Sequence, residues 1–287
     1  MTWAKLLADI DGGAGGEAVV GAALRIGQAL AARVELLHVE VSEEQAIPIV
    51  AEGMTSGAVG QMLESLSEQR EIRAEAAETL YKTLCVDAGL ATCEPDDAAV
   101  PGRFRVAFRR VVGRESDELA RRGRLADLVI VRGPVAGGGF SQVVETAMFA
   151  TGRPLLMVPE TLPERLGMSL AIAWDGTLGA ARAAGAALPL LCRAETVTIL
   201  TADMEKAGTK PSALADYLAE HGISARTWAF LPDEGALGER LLGEAEAAGA
   251  DMLVMGAYGH SRLREMVLGG VTRSVTAKSK IPVFMAH

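Results

Sequence analysis

The 287-residue chain is poor in aromatic residues, at 4%, so its core has to be built from Ala, Val, Leu and Met. It has three cysteines, Cys85, Cys93 and Cys192, and they form no CxxC and no metal-type pair. An odd, sparse set of this kind suits a reducing compartment. Positive charge is also short. Lys and Arg number 28 against 37 Asp and Glu, for a net charge of -9. That balance argues against nonspecific nucleic-acid binding and against an anionic membrane surface. It leaves room for a small anionic ligand, because a cluster of backbone N–H groups can hold a phosphate in an acidic protein. The N-terminal "MTWAKLLADIDGG" has no long apolar core and no cleavage-like site, so no signal peptide is expected. The apolar stretch 178–192 is interrupted by Arg182 and reads as a packed helix, not a membrane span. The expected compartment is the cytoplasm.

Other absences narrow the chemistry. His38, His221, His260 and His287 are scattered and show no metal-ligand spacing, so no metal site is expected. His38, inside "LLHVE", reads as a satisfied residue at a strand end. There is no Walker-type GKT or GKS, which argues against a P-loop NTPase. No Ser or Cys lies in a context that would activate it as a nucleophile. "GAGGEA", residues 13–18, matches the dinucleotide pattern G-x-G-x-x-A, but the equivalent "TLGAAR" in the second half lacks it. No catalytic residue is assigned. Asp175 is read as a ligand contact or a helix cap in preference to a base.

What is present is a repeat. "KLLADIDGG" (5–13) matches "SLAIAWDGT" (169–177), and each apolar run ends in Asp-Gly before an Ala-rich segment. "RVELLHVEV" (33–41) matches "ETVTILTAD" (195–203), "ADLVIVRGP" (126–134) matches "ADMLVMGAY" (250–258), and "GRPLLMVPE" (152–160) matches "SKIPVFMAH" (279–287). Four matched segments in one order make an internal repeat. In the second copy strands are expected near 169–174, 196–202, 223–230, 251–256 and 281–286. Helices are expected near 178–192, 211–221, 235–248 and 270–279. Alternating strands and helices imply a parallel sheet covered on both faces, and runs such as "LVIV" and "MLVM" suit strands buried on both sides. The linker falls near "PETLPERLG", residues 159–167, so the expected domains are 1–160 and 168–287. Residues 42–89 include a charged stretch of helical spacing, read as an extended surface helix.

The segment "MGAYGHSRLREMVLGGVTRSV", residues 255–275, spends four glycines just after a buried strand. In an open parallel sheet ligands bind beyond the carboxyl ends of the strands, where the strand order reverses. Gly256 and Gly259 would let the backbone turn sharply and approach a ligand without a Cβ. Gly269, Gly270, Val271 and Thr272 open the last helix, whose N-terminal N–H groups and partial positive charge suit a phosphate. His260, Arg262 and Arg264 would add positive potential nearby. Trp174 and Tyr258 are candidates to stack on a base.

This segment resembles the nucleotide loop of the universal stress proteins, with its pattern G-x2-G-x9-G-(S/T), here Gly256, Gly259 and Gly269. The resemblance extends over both halves and implies a tandem member of the family. It further implies an adenine-nucleotide alpha-hydrolase-like α/β fold of two open, parallel, five-stranded sheets in the order 3-2-1-4-5. It implies ATP or another adenine nucleotide as ligand, with or without Mg, held in the second half. By position, Ala173, Asp175 and Ala202 match the adenine and ribose contacts, with Met255 and Gly256 beside the ribose. Gly259, Gly269, Gly270, Val271 and Thr272 match the phosphate cradle. Gly270 replaces the family's Ser or Thr, and losing that hydroxyl costs on the order of 1 kcal/mol, which weakens binding without abolishing it.

The first copy departs further. Arg132 stands where Gly256 does in the second, and Asp127 to Pro154 is shorter than Asp251 to Pro282 by four residues (27 against 31). "RGPVAGGGFSQVV" replaces the loop, and Gly137, Gly138 and Gly139 are read as a flexible turn. The first copy is therefore expected to bind no ATP and to act as a structural partner. The resemblance implies an intramolecular pseudo-dimer through the last strands, "RPLLMVP" and "IPVFMAH", with a homodimer as a further option. A regulatory or stress-response role follows from the resemblance. A scaffold without ligand and a slow ATP hydrolase are the alternatives.

Overall fold

The computed structural model describes residues 2–41, 56–134, 141–202, 209–231, 237–257 and 270–287. The first half runs β1 (Lys5–Asp9), α1 (Gly16–Leu30), β2 (Arg33–Val41), α2 (Ser56–Tyr81), β3 (Arg105–Gly113), α3 (Glu115–Gly123), β4 (Leu128–Arg132), α4 (Gln142–Phe149) and β5 (Leu155–Val158). A π-helical stretch, Lys82–Val86, prolongs α2. The second half runs β6 (Ser169–Ala173), α5 (Leu178–Ala186), α6 (Leu188–Leu191), β7 (Thr196–Thr201), α7 (Pro211–Glu220), β8 (Ala225–Ala229), α8 (Leu237–Ala247), β9 (Met252–Gly256), α9 (Gly270–Lys278) and β10 (Val283–Ala286). The expected helix at 178–192 is two helices, because Pro189 cannot donate into a continuing helix and instead sits in the first turn of α6.

The strand order is β3-β2-β1-β4-β5-β10-β9-β6-β7-β8. Each half thus has the order 3-2-1-4-5. The expected two sheets are one, because β5 and β10 pair antiparallel through Val283–Met157, Phe284–Leu156 and Met285–Leu155. All other pairings are parallel. The reason is the bare edge. β5 and β10 are wholly buried four-residue runs, LLMV and VFMA, without a charge to discourage pairing, and each supplies the other's missing hydrogen bonds.

Alternation along each strand splits the core into two layers, one on each face of the sheet. Leu6, Ala8, Leu156, Val158, Leu170, Ile172, Met252, Val254 and Phe284 belong to one layer. Leu7, Leu155, Met157, Ala171, Leu253, Met255, Val283 and Met285 belong to the other. Both layers run through both halves. At the junction, Trp3 stacks on Phe284 with ring centroids 5.9 Å apart and planes 11° from parallel.

The matched segments "ADLV" and "ADML" have one structural job in common. Asp127 Oδ2 accepts the N–H groups of Ala4 and Lys5 at 2.7 and 3.0 Å. Asp251 accepts those of Gly167, Met168 and Ser169 at 2.8, 2.9 and 3.0 Å. Each carboxylate pins the chain entering the first strand of its half to the start of the fourth, satisfying donors that no neighbouring strand reaches. No helix among the described residues is long and apolar enough to cross a membrane.

Candidate functional site

In the second half β6 lies between β7 and β9. The chain leaves β6 toward β7 in one direction and reaches β9 in the other, so the order reverses between β6 and β9, which is where an open parallel sheet places its ligand crevice, at the carboxyl ends. Ala173 closes β6, Ala202 follows β7, and Met255 and Gly256 close β9. Gly270, Val271 and Thr272 form the first turn of α9. Because α9 connects two parallel strands, that turn lies at the same edge of the sheet. These predicted residues are therefore gathered on one side of the molecule. Tyr258, Gly259 and Gly269, with His260, Arg262 and Arg264, lie outside the described residues, as do Gly137, Gly138 and Gly139.

Asp175 is exposed and makes the turn after β6. Its Oδ1 accepts the Thr177 N–H at 3.0 Å and the Thr177 hydroxyl at 2.7 Å. Gly176, with φ 72°, takes the left-handed conformation that this turn requires. Thr177 caps α5 by accepting the Ala180 N–H at 3.3 Å. The other oxygen, Oδ2, has no hydrogen-bond partner among the described residues. Asp175 thus organises the start of the helix, the capping role read from the sequence.

Gly256 has a different reason for lacking a side chain than the one its spacing suggested. A Cβ there would stand 2.5 Å from Gly179 C and 2.6 Å from Ala180 N. The close approach is of β9 to the backbone of α5, not directly to a ligand. It brings the N-terminus of α5 against the end of β9, at the mouth of the crevice. Trp174 does not present a stacking face. It is buried in the core and its Nε1–H donates to Thr209 O at 2.8 Å. Thr272 is also buried, packed within the sheet-facing side of α9, whereas Gly270 is exposed and has nothing among the described residues within 4 Å of a Cβ position.

The first half repeats the turn but not the crevice. Asp11 Oδ1 accepts the Gly13 N–H at 2.8 Å, and Gly12 has φ 70°. α1 has Gly15 as its N-cap, with no side chain to cap it. Arg132, in the place of Gly256, lays its guanidinium over Gly15, where a Cβ would meet Nε at 2.7 Å. A cation therefore covers the helix N-terminus at which an anion would otherwise be held. The long helix α2 closes the adjacent edge. Its Arg73 carbonyl presses on Gly12 and Leu80 packs on Gly16, so the β1–α1 turn is held beneath it. Arg110 bonds both Glu40 and Glu71, tying α2 to β2 and β3. Spacing alone marks α2 as a helix. Its position over the strand ends depends on contacts distant in sequence, and no local signal carries them.

Comparison with known proteins agrees with this architecture. Residues 170–287 match the model of the universal stress protein family. Universal stress protein Slr1230 of Synechocystis sp. is 45% identical over 53 residues, a match spanning 16% of this chain and 18% of that protein. A universal stress protein of Archaeoglobus fulgidus DSM 4304 is similar over 98% of this chain and 95% of its own, with a TM-score of 0.64 and 16% identity. A solved structure from Pseudomonas aeruginosa UCBPP-PA14 is similar over 99% of this chain and 93% of its own, with a TM-score of 0.60 and 14% identity. At such identities the likeness is one of fold. Residues 170–287 thus match the universal stress protein family model, and the whole length of the chain is similar in fold to a solved universal stress protein.

Proposed function

We propose that the second half binds one ATP, or another adenine nucleotide, across the β6/β9 crevice, and that the chain acts as a nucleotide-responsive regulatory protein in stress. One observation carries the reading: the β9 end that leads into the glycine segment is packed against the capped N-terminus of α5, beside the open oxygen of Asp175. The adenine and ribose would lie by Ala173, Asp175 and Ala202, with the ribose hydroxyls donating to the Asp175 carboxylate. The phosphates would meet the N–H groups of the glycine segment and the first turn of α9, where the partial positive charge of the helix end favours them. The contrast between halves supports a single site, since Arg132 and α2 occupy the corresponding edge of the first half. The first half, residues 1–160, then serves 168–287 as a structural partner through β5 and β10.

Gly259→Val tests the cradle. A Cβ in the phosphate loop would intrude on the ligand or force the turn open. Nucleotide affinity should fall by about a hundredfold, while a comparable change at Gly139 leaves it unaltered; circular dichroism would establish that both variants are folded. Parental affinity in Gly259→Val would remove the cradle from this site.

A further inference from the structure

The ten-stranded sheet ends in two edges, β3 in the first half and β8 in the second, and they are finished differently. An edge strand presents a row of unpaired N–H and C=O groups, and a chain that stays single has to blunt it. β3 is blunted. Val106 donates its N–H to Ala91 O and accepts the N–H of Cys93, both at 2.9 Å, so residues 91–93 form a short outer rung on it. Its sequence, RVAFRRVVG, also carries three arginines, and Arg109 is bridged at 2.7 Å to Asp96, just past that rung in the chain.

β8 has no such cover among the described residues. It reads ARTWA, with no proline, lysine or acid, and no described residue pairs with it on the side away from β7. Its one charge is directed back into its own half: Arg226 Nε donates to Thr198 Oγ1 at 2.9 Å and Nη2 to Ala248 O at 3.1 Å. Just past the strand, Phe230 donates its N–H to Thr201 O of β7 at 3.0 Å. Backbone direction alternates along a strand, so Arg226 and Trp228 also address β7. The N–H and C=O groups of Ala225, Thr227 and Ala229 then point to the open side. All three residues are small, and Thr227 and Ala229 are exposed.

This open set is self-complementary. Turned about a two-fold axis through Thr227, β8 meets a second β8 antiparallel, with Thr227 against Thr227 and Ala225 against Ala229. These are hydrogen-bonded pairs of an antiparallel ladder, and each exchanges both N–H···O bonds. Between them Arg226 falls directly opposite Trp228 of the second copy, on one face of the sheet. Arg226 Cζ already lies 5.6 Å from the ring centroid of its own Trp228, and the pairing extends that cation–aromatic contact across the strands. Leu231, 83% exposed two residues past the strand, gains cover from the start of the other β8. Moving the axis to Arg226 sets two arginines face to face, and moving it to Trp228 separates Arg226 from the other copy's Trp228.

We propose that β8 is a self-association edge: two copies of this chain pair antiparallel through Ala225–Ala229, about a two-fold axis at Thr227, and join their sheets into one. An isologous contact of this kind closes at the dimer, and the covered β3 edges end the joined sheet. The device is the one that β5 and β10 use within the chain. It does not depend on the nucleotide reading of the second half.

Sedimentation velocity on the full chain over a concentration series should show a reversible monomer–dimer equilibrium. Amide hydrogen exchange at Ala225, Thr227 and Ala229 should slow by about tenfold or more as the dimer fills. Thr227→Pro removes an N–H on the open side only, and should weaken the dimer about thirtyfold through the two hydrogen bonds lost at the axis. Thr227→Lys places two like charges face to face and should weaken it comparably. Thr227→Val keeps the backbone edge and should dimerise as the parent does. Circular dichroism establishes that the variants are folded. A monomer at every concentration up to about 1 mM, a dimer untouched by Thr227→Pro and Thr227→Lys, growth beyond the dimer, or unchanged exchange at the three amides would each overturn the proposal.

Discussion

Replacing Gly256 with valine should lower the folding free energy by about 3 kcal/mol and abolish nucleotide binding. The introduced Cβ would stand 2.5 Å from Gly179 C and 2.6 Å from Ala180 N, and both are backbone atoms of a helix. A flexible side chain could rotate away, but a helix has to move as a unit. α5 packs Ala180, Ala183 and Ala184 into the core, so displacing it opens voids elsewhere. It also withdraws the Thr177 cap and the Asp175 turn from the end of β9. Gly270→Ala is the control. No described residue lies within 4 Å of its Cβ position, so stability should stay within about 0.5 kcal/mol of the parent. Urea denaturation measures both. If Gly256→Val were as stable as Gly270→Ala, the close packing of β9 on α5 would be wrong.

Phe284→Ala should cost about 3–5 kcal/mol, and the loss should be felt in both halves. Phe284 has no exposed surface, pairs with Leu156 across the antiparallel junction and with Val254 across β9, and stacks on Trp3 from the opposite half. Truncation leaves a cavity where the two halves share one core layer. Trp3 fluorescence and Trp174 fluorescence, separated by single-tryptophan variants, should report coincident unfolding at a lower urea midpoint. A cost under 1 kcal/mol, or a transition confined to the second half, would mean that the halves do not share a core.

Much of this architecture is legible in the sequence, because short continuous apolar runs such as "MLVM" admit few alternatives to a doubly covered strand. The two Asp-Gly pairs mark real turns, each with a left-handed glycine and an aspartate accepting the N–H two residues on. Other features depend on contacts that no local pattern carries. Asp127 and Asp251 are visible as matched letters, but their role in pinning the chain ahead of β1 and β6 spans more than eighty residues. Pro189 is visible in the apolar stretch 178–192, and it is where that stretch divides into α5 and α6. Gly256 reads as room for a ligand, whereas the space is filled by α5. Trp174 looks available for stacking until its burial and its bond to Thr209 are known. The placement of α2 over the first half's strand ends arises only once Arg73 and Gly12 are brought together.

The most direct test of the account is the stoichiometry of nucleotide binding. The full chain, freed of any copurified nucleotide and titrated with ATP in a calorimeter, should bind close to one equivalent, and Asp175→Ala should weaken that single isotherm while Arg132→Ala leaves it unchanged. Two equivalent sites per chain, or none, would contradict it.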